Sequence, residues 1–297
     1  MKNSQKISIF HSSHSILHYF SLVKFAHTIF AMPFAMIGYF LGVVYADAGF
    51  SWQTFLLVIL CMIFARNAAM GFNRYSDRSI DAKNPRTEGR EIPSGVIKPS
   101  AALIFVIVNA GAFIIACRFL NLLAFYLSPI ALLVVLGYSL TKKYTSLCHF
   151  ILGIGLSLAP AGAYLAVTGT FAWLPVMFSF VVLLWSGGFD IIYALQDKNF
   201  DVRERLHSIP AWLGIRRALS FSAVVHVIAG ALVVFIGFFH DFGLWYATGA
   251  VIFLFLLMYQ HLIVKPNDLS RVNAAFFTSN GIASVIFAAF TILDMFL

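Results

Sequence analysis

The chain has 297 residues, of which 61% are hydrophobic and 11% are charged. A soluble domain carries roughly a quarter charged residues, so this composition excludes an ordinary water-soluble protein. Long apolar runs alternate with short polar connections, which favours membrane-spanning helices over a β-barrel. The net charge of +8 follows from basic residues concentrated on one side of a membrane, and it requires no nucleic-acid partner.

The opening 22 residues mix polar and apolar side chains, without the continuous apolar core of a cleavable signal peptide. We expect residues 1–22 to form an interfacial helix that lies on the membrane surface.

Nine segments are apolar over about the twenty residues that are needed to cross a bilayer. We therefore predict an all-α, polytopic membrane protein with nine transmembrane helices around a central cavity that opens to the cytoplasmic side. The boundary between the fourth and fifth helices is the least distinct. The predicted spans are 26–46, 53–72, 101–118, 122–140, 149–168, 172–191, 217–238, 244–263 and 274–296.

The basic residues are distributed unevenly between the two sets of connections. Of the 20 Lys and Arg residues, all but Arg66 and Arg118 fall in the amino-terminal segment or after even-numbered spans. Positively charged connections stay in the cytoplasm. We predict a multi-pass protein of the cell (inner) membrane, with a cytoplasmic amino terminus and an outward carboxyl terminus.

The first of two acidic motifs follows the second span. Asn73, Asp77 and Asp81 are four residues apart, so a helix would place them on one face near the membrane surface. Carboxylates clustered in this way repel one another, and a divalent cation relieves the repulsion. Magnesium prefers oxygen ligands and commonly joins carboxylates to substrate phosphates.

The second motif follows the sixth span and has the same character. Asp190, Tyr193, Asp197 and Asp201 fall close to one helical face. Asp190 lies at the end of an apolar span, where an ionisable residue is costly and is commonly functional. The alternative for any one of these acids is an ordinary helix cap or a solvated face.

The patterns N-x-x-x-D-x-x-x-D and D-x-x-Y-x-x-x-D-x-x-x-D resemble the UbiA superfamily of intramembrane prenyltransferases. The likeness covers nearly the whole chain and implies one prenyltransferase domain over 1–297, with motif-bearing cytoplasmic loops at 73–100 and 193–216. Ser76 stands where some relatives carry an acidic residue, which leaves the ligand set intact. The segment Lys24–Gly38 further resembles bacterial members assigned to prenylation of 4-hydroxybenzoate or a related menaquinone precursor.

This resemblance implies that the motifs bind Mg²⁺ and an isoprenoid diphosphate. The implied metal ligands are Asn73, Asp77, Asp81, Asp197 and Asp201, and the implied catalytic set is Asp77, Asp81, Asp190, Tyr193, Asp197 and Asp201. A polyprenyl diphosphate and a small aromatic acceptor are the expected substrates, within a lipid bilayer.

Other residues are candidates for binding the substrates. Lys142, Lys143 and Arg74 could neutralise the diphosphate, although the positive-inside rule alone also accounts for such residues. Tyr138 and Tyr193 could shield an allylic cation with their rings. A carboxylated acceptor needs a cation at membrane depth, for which Arg66 is the first candidate and Lys24 a weaker one.

Several readings stay open at this point. The acceptor could instead be a naphthoate, a porphyrin or a lipid glycerol phosphate. Intramembrane acids also suit an ion-coupled transporter, but these acids cluster at one membrane face rather than at the midplane. Prenyl chain length, pathway and oligomeric state are not readable from the sequence.

Overall fold

The structure is a computed structural model that describes residues 18–23 and 30–297. Most of the predicted interfacial segment 1–22, together with Lys24, lies outside these described residues. The predicted all-α polytopic membrane fold is confirmed. Residues 18–23 are helical, and the further elements are α1 Met32–Val44, α2 Trp52–Asp81, α3 Pro99–Leu120, α4 Leu122–Thr141, α5 Cys148–Thr168, α6 Trp173–Ala194, a 3₁₀ turn Leu195–Asp197, α7 Lys198–Arg203, α8 Ile209–Phe239, α9 Leu244–Ile263, a π-helical turn Ala274–Ser279 and α10 Asn280–Phe296.

Eight helical segments of the described chain are long and apolar enough to cross a membrane. The first predicted span, 26–46, contains α1, which has only 13 residues. Because residues 24–29 lie outside the described part, the count of nine spans stays a prediction.

The helices that carry the motifs extend beyond the predicted spans. The second predicted span ends at 72, and α2 continues beyond it as one helix of 30 residues from Trp52 to Asp81. Helical backbone satisfies its own hydrogen bonds, so polar side chains do not end the helix where it leaves the apolar layer. Beyond Asp81 the chain turns, and the Thr87 hydroxyl donates to the Asp81 carbonyl oxygen over 3.1 Å. Residues 73–81 of the predicted loop are therefore helical.

The second motif-bearing connection is also shorter than predicted. The 3₁₀ turn and α7 follow α6 directly, and α8 begins at Ile209 rather than at 217. Ser208 caps α8, its hydroxyl oxygen accepting from the Ala211 N–H, and Pro210 occupies the first turn. Gly214 has a positive φ of 76° and kinks α8. Because of this kink, the hydrophobic pattern of the helix does not extend back to its first residues.

The core is aromatic and centres on α6, which packs against α5 and α8. Trp185 and Phe178 of α6 are fully buried beside Phe34 of α1, Phe253 of α9 and Phe287 of α10. This packing holds the carboxyl end of α6, and hence the second motif, in one position relative to its neighbours.

The contact between α1 and α5 is close enough to require glycine. A Cβ atom added at Gly38 would lie 2.0 Å from the Pro160 carbonyl oxygen. A methyl group there would force the two helix backbones apart.

We expect Gly38→Ala to destabilise the protein by about 1–3 kcal/mol, the usual effect of overpacking. Thermal unfolding in detergent measures this. Gly111→Ala on α3 is the matched control, because a Cβ there meets nothing within 4 Å. Equal melting temperatures for the two variants would contradict the close packing of α1 on α5.

Candidate active site

The first motif lies on the last turns of α2. The Asn73 side-chain amide donates to Asp77 Oδ2 over 3.0 Å, as their spacing on one helical face requires. Asp81 is buried and accepts from Arg90 Nη1 at 2.7 Å and 2.8 Å through its two oxygens. Arg90 comes from the connection after α2, so this connection folds back over the motif.

The same connection reaches the second motif. Arg86 donates through Nε to Asp197 Oδ1 at 2.9 Å and through Nη2 to Asp197 Oδ2. Asn84 adds a hydrogen bond of 3.0 Å to Asp197, and Arg86 Nη1 donates to the Tyr193 hydroxyl over 3.1 Å. Burial lowers the pKa of Arg86, but Asp197 outweighs that effect, so the pKa lies above its ordinary value. Arg86 therefore joins the two motifs into one site.

Asp201 is held by a third cation. Its side chain is completely buried, with Lys142 Nζ 2.7 Å from Oδ1 and the Ser208 hydroxyl donating to Oδ2 over 2.8 Å. Burial lowers the pKa of Lys142, and the Asp201 carboxylate more than offsets this, so the pKa is raised. The connection between α4 and α5 thus contributes a charge to the second motif.

Asp190 has a different kind of partner. Its Oδ2 lies 2.7 Å from Nδ1 of His149, which is in the first turn of α5. Asp190 precedes Asp197 by seven residues, so it lies about 10 Å farther back along α6. The second motif therefore has an outer part held by cations and an inner part held by a histidine.

A cavity of about 390 Å³ lies between α2, α3, α4 and α5. Its walls are mostly apolar, and Arg66 of α2 and Tyr138 of α4 are among the polar side chains that line it. The Nε atom of Arg66 is buried and has no hydrogen-bond partner within the described residues. A buried guanidinium donor of this kind is costly unless an anion satisfies it.

The remaining predicted residues are Arg74, Lys143 and Lys24. Arg74 is buried on α2, one turn before Arg78, and its Nε is also without a described partner. Lys143 follows Lys142 and makes no side-chain ion pair with any residue that the structure describes. Lys24 lies outside the described residues.

Sequence reasoning missed five side chains that hold the acids. Three follow the first motif within ten residues, in a stretch whose basic character was visible but whose pairing across the fold was not. Of the other two, one lies in the first turn of α5, 41 residues before the acid that it holds, and one lies directly before α8, seven residues after its acid. These side chains are Asn84, Arg86, Arg90, His149 and Ser208.

Among the described residues, no three Asp, Glu, His or Cys side chains converge as a metal-binding group. The outer acids Asp81, Asp197 and Asp201 are each paired with a basic side chain instead. The donors themselves still fit magnesium, because carboxylate and amide oxygens are its preferred ligands and the set contains no thiolate or imidazole.

Residues 31–281 match the model of the UbiA prenyltransferase family. The chain belongs to the UbiA prenyltransferase family. It is 30% identical over 245 residues to the 4-hydroxybenzoate octaprenyltransferase of Nitrosomonas europaea, covering 81% of this chain and 82% of the relative. It is 28% identical to the enzyme of the same name from Vibrio parahaemolyticus, covering 80% and 83%. The chain is therefore a prenyltransferase, and the transporter reading is excluded as its main function.

Solved structures of UbiA homologues share the fold. The apo structure of a UbiA homolog from Aeropyrum pernix K1 superposes with a TM-score of 0.82 at 29% identity, covering 91% of this chain and 98% of that one. A UbiA homolog from Archaeoglobus fulgidus bound to GPP and Mg²⁺ has a TM-score of 0.72 at 17% identity, covering 94% and 100%. Because the identity to the Archaeoglobus fulgidus homolog is only 17%, this similarity supports the shared fold alone.

We expect Arg86→Gln to loosen the connection 82–98, because Asp197 loses its partly buried charge partner. Loss of such a partner costs about 1–3 kcal/mol, which corresponds to a rise of about 5- to 150-fold in amide hydrogen exchange. Lys83→Gln is the matched control. Lys83 lies in the same connection and pairs with Glu204, which follows α7. Because the Lys83 side chain is 63% exposed, this ion pair contributes little to stability. Equal exchange in both variants would contradict the anchoring by Arg86.

Proposed function

We propose that the protein transfers a polyprenyl group from a polyprenyl diphosphate to an aromatic acid in quinone biosynthesis, with Mg²⁺ as cofactor. The proposed acceptor is 4-hydroxybenzoate or a related quinone precursor. The observation that carries this proposal is the buried Nε of Arg66, which has no hydrogen-bond partner among the described residues and belongs to a residue that lines an apolar cavity. The names of the two relatives above support the same acceptor class.

Arg66 is suited to bind the acceptor carboxylate. It precedes Asn73 by seven residues, so it lies on nearly the same face of α2 and about 10 Å farther from the motif end. The planar guanidinium group matches a carboxylate in two parallel hydrogen bonds. A ring bound there would rest against apolar walls, with Tyr138 alongside.

The diphosphate is proposed to bind at the outer acids. Asn73, Asp77, Asp81, Asp197 and Asp201 would hold Mg²⁺, which supplies positive charge that stabilises the departing diphosphate. Lys142, Lys143 and Arg74 lie at the same end of the bundle and would add positive charge around it. Arg86 and Arg90, which are paired with Asp197 and Asp81, would add further positive charge next to the proposed magnesium ligands.

The chemical step that follows is an electrophilic aromatic substitution. The bond between the allylic carbon and the diphosphate oxygen breaks, and a bond forms from that carbon to a ring carbon of the acceptor. The same ring carbon then loses a proton. Tyr193, whose ring packs 4.1 Å from that of Phe276 and lies 5.3 Å from the Arg86 guanidinium carbon, is the proposed aromatic partner of the allylic cation. Asp190 is the proposed acceptor of the proton, because its carboxylate is partly exposed and, among the described residues, pairs with His149 rather than with a lysine or an arginine.

The proposed setting is the inner membrane, with the amino terminus and the motif-bearing end in the cytoplasm. The one-sided distribution of Lys and Arg supports this orientation. A naphthoate remains the second candidate acceptor, since its carboxylate would suit Arg66 equally well.

Membranes containing the protein, incubated with a labelled long-chain prenyl diphosphate and 4-hydroxybenzoate, are expected to form a prenylated phenol by mass spectrometry. Removal of Mg²⁺ with a chelator should abolish the product, and Asp77→Asn serves as the inactive control. If the prenyl diphosphate is consumed with a naphthoate but not with 4-hydroxybenzoate, the acceptor is a naphthoate. If the folded protein does not consume the prenyl diphosphate with either acceptor, the proposed function is contradicted.

Arg66→Leu is expected to raise KM for the aromatic acid by about 10- to 100-fold, because a charged hydrogen bond is lost. KM for the prenyl diphosphate should stay within about twofold. Steady-state kinetics with each substrate varied in turn separates the two effects. Arg118→Leu is the control, because Arg118 is an exposed arginine in the last turn of α3. An Arg66→Leu enzyme with unchanged KM for the acid would rule out this binding mode.

A further inference from the structure

We propose that His149 is a positioning residue that orients Asp190 for proton transfer from the aromatic acceptor. This inference rests on the proposed function, since it concerns the residue that takes the proton in that reaction. Nothing in the motif pattern marks His149, which lies 41 positions before Asp190 in the first turn of α5.

Both ring nitrogens of His149 have defined partners. Nδ1 lies 2.7 Å from Asp190 Oδ2, and Nε2 accepts the backbone N–H of Ile209 over 3.2 Å. A backbone amide can only donate, so Nε2 must present its lone pair. The ring hydrogen of the neutral imidazole is therefore on Nδ1, where it donates to the carboxylate. The contact with the amino end of α8 thus selects the tautomer that holds Asp190.

The surroundings keep this arrangement rigid. The His149 side chain is 3% exposed, whereas that of Asp190 is 23% exposed. Ile209 is itself almost fully buried, and Ser208 beside it is held by Asp201. One carboxylate oxygen of Asp190 is therefore occupied by a fixed donor, while the residue still has surface that a substrate can reach.

Pairing with a histidine distinguishes Asp190 from Asp81, Asp197 and Asp201. Asp81, Asp197 and Asp201 are paired with arginine or lysine, which are permanent cations and neutralise the carboxylate. A neutral imidazole orients Asp190 without cancelling its charge, so the carboxylate remains a proton acceptor. When the acceptor ring loses its proton, that proton binds to the free oxygen of Asp190, and the Nδ1–H bond stays intact.

The test compares His149→Leu with His149→Gln. Leucine removes both hydrogen bonds, so kcat is expected to fall by at least about tenfold. KM for the prenyl diphosphate should stay within about twofold. Glutamine offers one donor and one acceptor, so it should restore most of kcat. In an Asp190→Asn background, His149→Leu should cost no further activity, because the group that it positions is already gone.

His226→Leu is the matched control for simple loss of packing. His226 is also a buried imidazole with two hydrogen bonds, one to His261 and one to the Trp185 carbonyl oxygen of α6 at 3.1 Å, and neither of these partners is an acid. We expect it to lower the melting temperature while kcat stays within about twofold. Equal losses of kcat in His149→Leu and His226→Leu, a failure of glutamine to rescue, or additive losses with Asp190→Asn would overturn the proposal.

A measurement that does not depend on enzyme activity tests the role of His149 separately from the identity of the acceptor. The ¹⁵N spectrum of histidine-labelled protein, with the His149 signals assigned from His149→Gln, reports which ring nitrogen carries the hydrogen. A hydrogen on Nδ1 and a bare Nε2 are expected. A hydrogen on Nε2 would overturn the positioning role even if 4-hydroxybenzoate proves to be the acceptor. Absence of any prenylated product would contradict the proposed function and leave the tautomer result standing.

Discussion

The bidentate pairing of Arg86 with Asp197 is the interaction on which the rest of the site depends. It ties the connection that follows the first motif on α2 to Asp197 of the second motif, in the 3₁₀ turn after α6. Carboxylates gathered at the end of an apolar bundle repel one another and are costly to bury. The protein meets that cost by placing one basic side chain against each of Asp81, Asp197 and Asp201. The connection after α2 is held by the pairs of Arg86 and Arg90 and by a small hydrophobic cluster, in which its buried Ile92 and Ile97 pack with Leu22 and Ala102.

The aromatic core supplies the second constraint. Trp185 and Phe189 are buried on α6, so its carboxyl end cannot rotate freely about the helix axis. Asp190 follows directly, and its direction is set by His149 of α5 and indirectly by the start of α8. A rigid apolar bundle thus holds the deep part of the site, while ion pairs between connections hold the outer part. This division matches the two kinds of ligand proposed for it, a flat aromatic acid and a charged diphosphate.

The fold was largely predictable from the sequence, because spans of about twenty apolar residues have few alternatives in a bilayer. The helical spacing of Asn73, Asp77 and Asp81 also predicted the correct face of α2, as the hydrogen bond from Asn73 to Asp77 illustrates. The helix ends were not predictable from hydropathy, since α2 continues through polar residues and Gly214 interrupts the pattern of α8. Partners such as His149 depend on tertiary contacts over 41 residues or more, which no local pattern encodes.

The claim that two distant motifs act as one site can be tested by a double-mutant cycle between Asp77 and Asp197. The quantity to measure is kcat/KM for the prenyl diphosphate with Asp77→Asn, Asp197→Asn and both substitutions together. Residues that act as a unit give strongly non-additive losses. We expect the double variant to be little worse than either single one. Losses that multiply would show that the motifs contribute independently, and would contradict a single site joined through Arg86.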